Sequence, residues 1–259
     1  MNGRSRFARG RITRRSPVDI ATMRRAGRVV AEMHAEIRLQ MRPGVTTAQL
    51  DQIGRDVLER RGATSNFLNY HGFPAVICTS VNEQVVHGIP GSLVLHEGDV
   101  VSIDCGAVIA GWHGDAAFTA GVGTISAEAQ RLIEVTDEAL AAAVEQMVAG
   151  KTLGDVGYAV EQVAKRSRFG VVDGYCGHGI GRAMHEDPDV LNTGRPGKGL
   201  RLEVGNVLAI EPMLSLSGEE DTIQLADGWT VLMADGSLSA HSEHTVAITD
   251  NGPEILTCA

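Results

Sequence analysis

Leu95-His-Glu-Gly-Asp-Val-Val-Ser-Ile-Asp104 returns 107 positions later as Leu202-Glu-Val-Gly-Asn-Val-Leu-Ala-Ile-Glu211. Leu, Gly, Asp or Asn, Val, Ile and a closing carboxylate fall in register, which is more than shared element lengths produce. Further out, Gly44 and Thr46 overlay Gly150 and Thr152 at an offset of 106, carrying Leu50 onto Val156 and Val57 onto Val163. A repeat of this length predicts two similar halves, each with helices first and strands second, and a site between them. It also places an acid at an equivalent strand end in each half, Asp104 and Glu211.

Local signals set the boundaries. Ser16 reads as an N-cap with Pro17 at the first helical position, and Ile20, Met23, Val30, Met33, Ile37 and Met41 continue one apolar face up to the stop at Pro43-Gly44. Thr46 or Thr47 caps a second helix that carries Leu50, Ile53 and Val57 and ends near Gly62. A β-rich stretch runs from about Val76 to Thr119. Ser126 then opens the same programme again, through Leu132, Leu140 and Met147 to a stop at Gly150, with Thr152 capping a fourth helix. The expected organisation is a basic, disordered arm over 1–16 and a single domain over 17–259, with half-repeats of about 17–125 and 126–259.

The 259 residues are 43% apolar and 21% charged, a globular balance that excludes a disordered body. Aromatics at 4% argue against a stacking surface for nucleic acid. Net charge is −9, yet the first fifteen residues hold Arg4, Arg6, Arg9, Arg11, Arg14 and Arg15 and no acid, so the remainder stands at −15. Such a body repels phosphate backbones, and any nucleic-acid contact would run through the arm. Cys78, Cys105, Cys176 and Cys258 form no C-x-x-C pair and suit free thiols in a reducing cytosol. The Arg-rich start lacks the apolar core of a signal peptide, and no apolar run is long enough to span a membrane. A soluble cytoplasmic monomer is expected.

Chemistry enters with Ile103-Asp104-Cys105-Gly106 and His113-Gly114-Asp115, which read as a β-hairpin turning near Gly111. A turn centred between Ile109 and Ala110 would set Asp104 directly opposite Asp115, with Cβ atoms about 4.5–5.5 Å apart. Two carboxylates at that range destabilise the fold unless a cation lies between them. Further candidate ligands are His178, flanked by glycines in Gly177-His-Gly-Ile-Gly181, and Glu211, which ends the apolar run Val207-Leu-Ala-Ile210. Glu243 in Ser242-Glu-His-Thr245 completes the set. Four carboxylates balance two divalent ions, and oxygen-rich donors favour Mn, Fe, Co or Zn over Cu. No G-x-S-x-G, H-E-x-x-H or P-loop is present, and His241-Ser242-Glu243 lacks the P-C-x-x-C that would complete a zinc deaminase.

Taken with Val81-Asn-Glu-Gln-Val-Val-His87-Gly-Ile-Pro90, His185-Glu-Asp-Pro188 and Ile210-Glu-Pro-Met213, these segments resemble the type I methionine aminopeptidase family in order and spacing, from about residue 17 to 257. The resemblance implies an α+β pita-bread (creatinase/aminopeptidase) fold, with two pseudo-twofold-related halves around a central antiparallel sheet and residues 17–259 as the catalytic domain. It implies two divalent metal ions, one held by Asp104 and the other by His178 and Glu211, with Asp115 and Glu243 bridging them. Glu211 would also handle the proton, His185 would stabilise the oxyanion, and His87 would hydrogen-bond the substrate peptide group. Tyr70, Phe73, Cys78 and Trp229 would form the pocket for the Met side chain.

The activity implied is removal of the N-terminal methionine from nascent proteins, with a small residue second and a ribosome contact through the Arg-rich arm. Met184 departs from the pattern, standing where relatives often have Phe. The 32-residue interval from Glu211 to Glu243 is too short for the type II insertion. A proline-specific peptidase of the same fold would usually carry a further N-terminal domain, and an inactive binding module would have lost ligands.

Overall fold

The computed structural model describes residues 12–258. Ser16 caps α1 (Pro17–Gln40): its Oγ accepts from the Asp19 N–H while the Asp19 carboxylate accepts from the Ser16 N–H. Thr46 and Gln49 close the same box on α2 (Thr47–Arg61), which stops at Gly62 in the left-handed conformation. Ser126 caps α3 (Ala127–Val144), and at α4 (Leu153–Ser167) the Asp155 carboxylate accepts from both the N–H and the hydroxyl of Thr152. α3 ends before the expected stop at Gly150, because the chain unwinds into turns that bury Met147.

The sequence repeat is also a repeat of hydrogen bonds. Gly44 N–H donates to the Leu95 carbonyl and Gly150 N–H to the Leu202 carbonyl; Thr46 bridges Val94 and Thr152 bridges Arg201. In the first half Val30, Met33 and Ile37 of α1 and Leu50 and Val57 of α2 pack on Ile77 and Ile103. In the second, Leu132 and Leu140 of α3 and Val156 and Val160 of α4 pack on Leu208, Ile210 and Val246. Each such aliphatic side chain contributes about 1.5–3 kcal/mol on full burial, so the two cores fix the helices to the strands beneath them.

Strand Val100–Ile109 runs antiparallel between Ile77–Val81 and Trp112–Gly121. In the second half the strand order is Gly252–Ile255, His244–Thr249, Val207–Ile210, Gly177–Gly179, Glu186–Val190. The halves meet where Glu243 N–H donates to the Ala117 carbonyl at 2.9 Å and Ala117 N–H returns to Glu243 at 3.4 Å. Beside them the Thr245 hydroxyl accepts from the Asp115 N–H and donates to the Asp115 carbonyl. The joint therefore sets Asp115 and Glu243 side by side.

One expectation needs correction. The hairpin pairs Ile109 with Trp112, Asp104 with Ala117 and Gly106 with Asp115, so Asp104 and Asp115 are diagonal neighbours on one face, not directly opposed. The turn is Ala110-Gly111, both at positive φ (51° and 75°), the geometry that matches strand twist in a two-residue hairpin. Moving the turn centre by one residue shifts each partner by two. Of the arm expected over 1–16, residues 12–16 are described. Ile12 is buried in the second core, Arg14 bridges Asn206, and Arg15 N–H donates to the Gly205 carbonyl at 2.7 Å. Residues 1–11 lie outside the described residues.

α1 crosses the hairpin at glycines. A Cβ on Gly27 would press into the Leu256 carbonyl, and one on Gly114 would lie 2.8 Å from the Gly27 nitrogen. Gly27→Ala is expected to cost about 1–3 kcal/mol by overpacking, read as a lower urea midpoint with an unchanged slope. An unaltered midpoint would show that the helix yields freely.

Candidate metal centre

The hairpin contributes Asp104 and Asp115, and the end of Val207–Ile210 contributes Glu211. His178 comes from the short strand Gly177–Gly179, and Glu243 from the corner between Ser239–His241 and His244–Thr249. All five line one cavity of about 280 Å³, together with His87, His185, Tyr70, Phe73, Cys78 and Trp229. Every residue singled out from the sequence for ligation, catalysis or substrate binding thus faces the same space.

Ligand atoms of Asp115, His178 and Glu243 lie within 4.8 Å of one another. His178 Nε2 is 3.6 Å from Glu211 Oε1. Its Nδ1 lies 2.9 Å from the Gly179 carbonyl, so Nδ1 carries the proton and donates, and the lone pair of Nε2 points at the carboxylates. Asp104 Oδ1, Asp115 Oδ1 and Glu243 Oε1 are buried without a hydrogen-bond partner.

Burial dominates the electrostatics. It pushes Glu211 up to about 8. It brings Asp104 to about 7, with Glu211 adding to the rise and His241 opposing it. Burial, then the neighbouring carboxylates, holds Asp115 and Glu243 well above the usual range. His178 is driven down to about 3 by burial and by His185, so its imidazole is neutral and available as a ligand. Unpartnered carboxylate oxygens around a neutral imidazole are the donor set a divalent cation requires, and the residues fit one.

The opposite wall is apolar. Phe73 and Trp229 meet edge to face at 5.1 Å, and Cys78 and Met184 pack with them. Cys78 pairs in register with Asp104, so a single strand pair spans the distance from apolar wall to carboxylate. Tyr70 Oη lies 2.8 Å from His185 Nδ1, and the His185 ring sits 4.2 Å from that of His178. His87, at positive φ (61°), is lowered to about 4, mainly by burial.

Sequence reasoning missed Phe67, Val86, Tyr175, Cys176, Met213 and His241 in the lining. His241 was set aside with the deaminase pattern, yet its buried Nε2 lies 3.4 Å from Glu211 Oε2. Alternation along the strand into Glu243 was the one available signal. The Tyr175-Cys176 pair immediately before Gly177 carried no pattern of its own.

The model of metallopeptidase family M24 matches residues 21–250, and the chain belongs to that family. It is 52% identical to methionine aminopeptidase 1 of Mycobacterium tuberculosis over 258 residues, covering 96% of this chain and 97% of that protein. The crystal structure of the methionine aminopeptidase of Thermotoga maritima superposes with a TM-score of 0.94 at 41% identity, covering 96% of this chain and all of the other. The Xaa-Pro dipeptidase of Bacillus anthracis shares the fold, with a TM-score of 0.75 at 22% identity, and 62% of its length is covered. The two-half arrangement is the pita-bread fold, and the chain is a hydrolase that uses divalent metal.

Without metal, protons must neutralise the cluster. Asp104 and Glu211 have folded-state pKa values above the ordinary carboxylate range, so they favour the folded metal-free protein at low pH. That contribution fades as pH rises through about 7 and about 8. The histidines with lowered pKa values oppose this trend near pH 6.5, where unfolded imidazoles are still half-protonated, and add little slope above about pH 7.5. The melting temperature of metal-free protein should therefore fall between about pH 7.5 and 8.5. Added divalent cation should restore more at the upper end, because binding needs the deprotonated ligands. A flat or rising profile would contradict this.

Proposed function

We propose that this chain is a methionyl aminopeptidase that removes the N-terminal methionine from nascent proteins and peptides, preferring a small second residue. Asp104, Asp115, His178, Glu211 and Glu243 would hold two divalent ions drawn from Mn, Fe, Co or Zn. Bound there, the metal supplies a Lewis acid and a water of lowered pKa. The observation that carries the reading is one cavity with a carboxylate cluster at one end and an aromatic, thiol-lined wall at the other.

Each residue has a task in this reading. The Met side chain lies against Tyr70, Phe73, Cys78 and Trp229, where thioether–aromatic contacts contribute about 0.3–1.5 kcal/mol each. The free α-amino group is received at the Asp104 end, so cleavage stops at the first residue. Glu211 accepts a proton from the attacking water and delivers it to the leaving amine. Burial raises the Tyr70 pKa and keeps its hydroxyl protonated. With that hydroxyl donating to Nδ1, His185 keeps its proton on Nε2 and donates to the developing oxyanion. His87, neutral and half-buried, hydrogen-bonds the substrate peptide group. Residues 17–259 act as one catalytic domain, working as a cytoplasmic monomer.

The test is release of the first residue from Met-Ala-Ser, Met-Arg-Ser and Ala-Pro-Ser by protein loaded with each metal. Met-Ala-Ser should be cleaved at least about tenfold faster than either rival, since a rigid rim admits only small second side chains. Faster cleavage of Ala-Pro-Ser would favour the proline-specific alternative, and no cleavage with any metal would favour the binding module.

We propose also that Arg4, Arg6, Arg9 and Arg11 contact ribosomal RNA where nascent chains emerge. Arg14 and Arg15 do not contribute, being engaged with Glu203 and Glu186. Deleting residues 1–11 should leave tripeptide turnover unchanged and abolish co-sedimentation with ribosomes, whose log–log salt slope should be about −0.7 to −0.9 per phosphate contact. Equal co-sedimentation of both forms at low salt would remove the role.

A further inference from the structure

We infer that Arg15, on the segment leading into α1, is a positioning residue for His185: it holds the Gly181–Glu186 loop from behind. The inference rests on the reading of His185 as the donor to the reacting carbonyl.

Arg15 is a buried charge with one destination. Its side chain is 10% exposed, and Nη2 pairs with Glu186 Oε2 across 171 positions of sequence. The guanidinium occupies the face of Gly181 that a Cβ would need, and its Nε is buried without a partner. Its Cζ lies 5.3 Å from the centre of the Trp112 ring, over which Arg182 also packs at 4.1 Å.

Glu186 does two things at once. While Oε2 takes the Arg15 guanidinium, Oε1 accepts from the backbone N–H of Arg182 at 2.8 Å and of Ala183 at 3.1 Å. A single carboxylate thus ties Arg15 to the peptide units immediately before His185. The start of the loop is anchored separately, with His113 N–H donating to the Gly181 carbonyl at 2.9 Å.

Arg15 is itself pinned, since its own N–H donates to Gly205 at 2.7 Å and Gly205 has no room for a side chain against it. His185 is therefore gripped from two sides, by Tyr70 at Nδ1 and by the Arg15–Glu186 pair behind its backbone. A largely buried ion pair gains little net stability over an apolar replacement, whereas it fixes direction through charge-assisted hydrogen bonds.

The measurement is kcat and KM for Met-Ala-Ser in metal-loaded, full-length protein. Arg15→Ala should lower kcat about tenfold with KM within about twofold, because a displaced donor is felt mainly in the transition state. Arg15→Lys, which keeps the charge, should recover most of the loss. His185→Ala alone should lower kcat about 10²- to 10³-fold. In that background Arg15→Ala should change kcat by less than about twofold.

An equal tenfold loss in both backgrounds, or wild-type kcat in Arg15→Ala, would overturn the positioning role while leaving His185 in place. Wild-type kcat in His185→Ala would instead overturn the role of His185, and the Arg15 inference with it. Should Arg15→Ala fail to fold, Glu186→Gln carries the same cycle, since it neutralises the pair and keeps the acceptor at Oε1.

Discussion

Four carboxylates, Asp104, Asp115, Glu211 and Glu243, are crowded into one buried cavity whose nearest basic groups are the neutral imidazoles of His178 and His241. Left alone, that cluster opposes folding, since burial and mutual repulsion both resist ionisation. The rest of the architecture keeps the four together. Each acid sits on or beside a strand, and the surrounding backbone is secured by bonds that do not use the ligand atoms. Glu243 exchanges backbone bonds with Ala117, Ser242 donates to Asp137 of α3 at 2.6 Å, and Asn192 donates to the Glu211 carbonyl at 3.0 Å. Their carboxylate oxygens are thus left for a cation.

The cavity works because its two ends differ and are mechanically joined. Asp104 and Cys78 are cross-strand partners, so the acid at one end and the thiol of the apolar wall keep a constant separation. Phe73, Trp229 and Met184 complete the apolar side, and Met is the flexible element there. His185 stands between the ends. Its loop lies between the strands Gly177–Gly179 and Glu186–Val190, and the N-terminal segment and Trp112 brace it.

Much of this was legible because it is written in local pattern. Caps at Ser16, Thr46, Ser126 and Thr152, the helical spacing of apolar residues and the offset of about 107 all act over short range or by simple repetition, and the helices and two halves follow from them. Glu211 announced itself as a charge ending an apolar run, and Asp104 and Asp115 as paired acids of one hairpin. The hairpin misled by one residue because turn type depends on backbone twist: Ala110 accepts a positive φ that its identity does not advertise.

By itself, then, the sequence determined the elements, the duplication and the set of candidate ligands, since each depends on spacing along the chain. Tertiary structure alone decided that Asp104 and Asp115 sit diagonally and that His241 reaches Glu211. It also decided that Phe67, Tyr175 and Met213 join the wall, and that Arg15 leaves the arm for Glu186. These are meetings between residues 11 to 171 positions apart, created by strand register within each half and by packing between distant segments. Such distances are fixed by volume and register in three dimensions, and neither leaves a periodic trace in one.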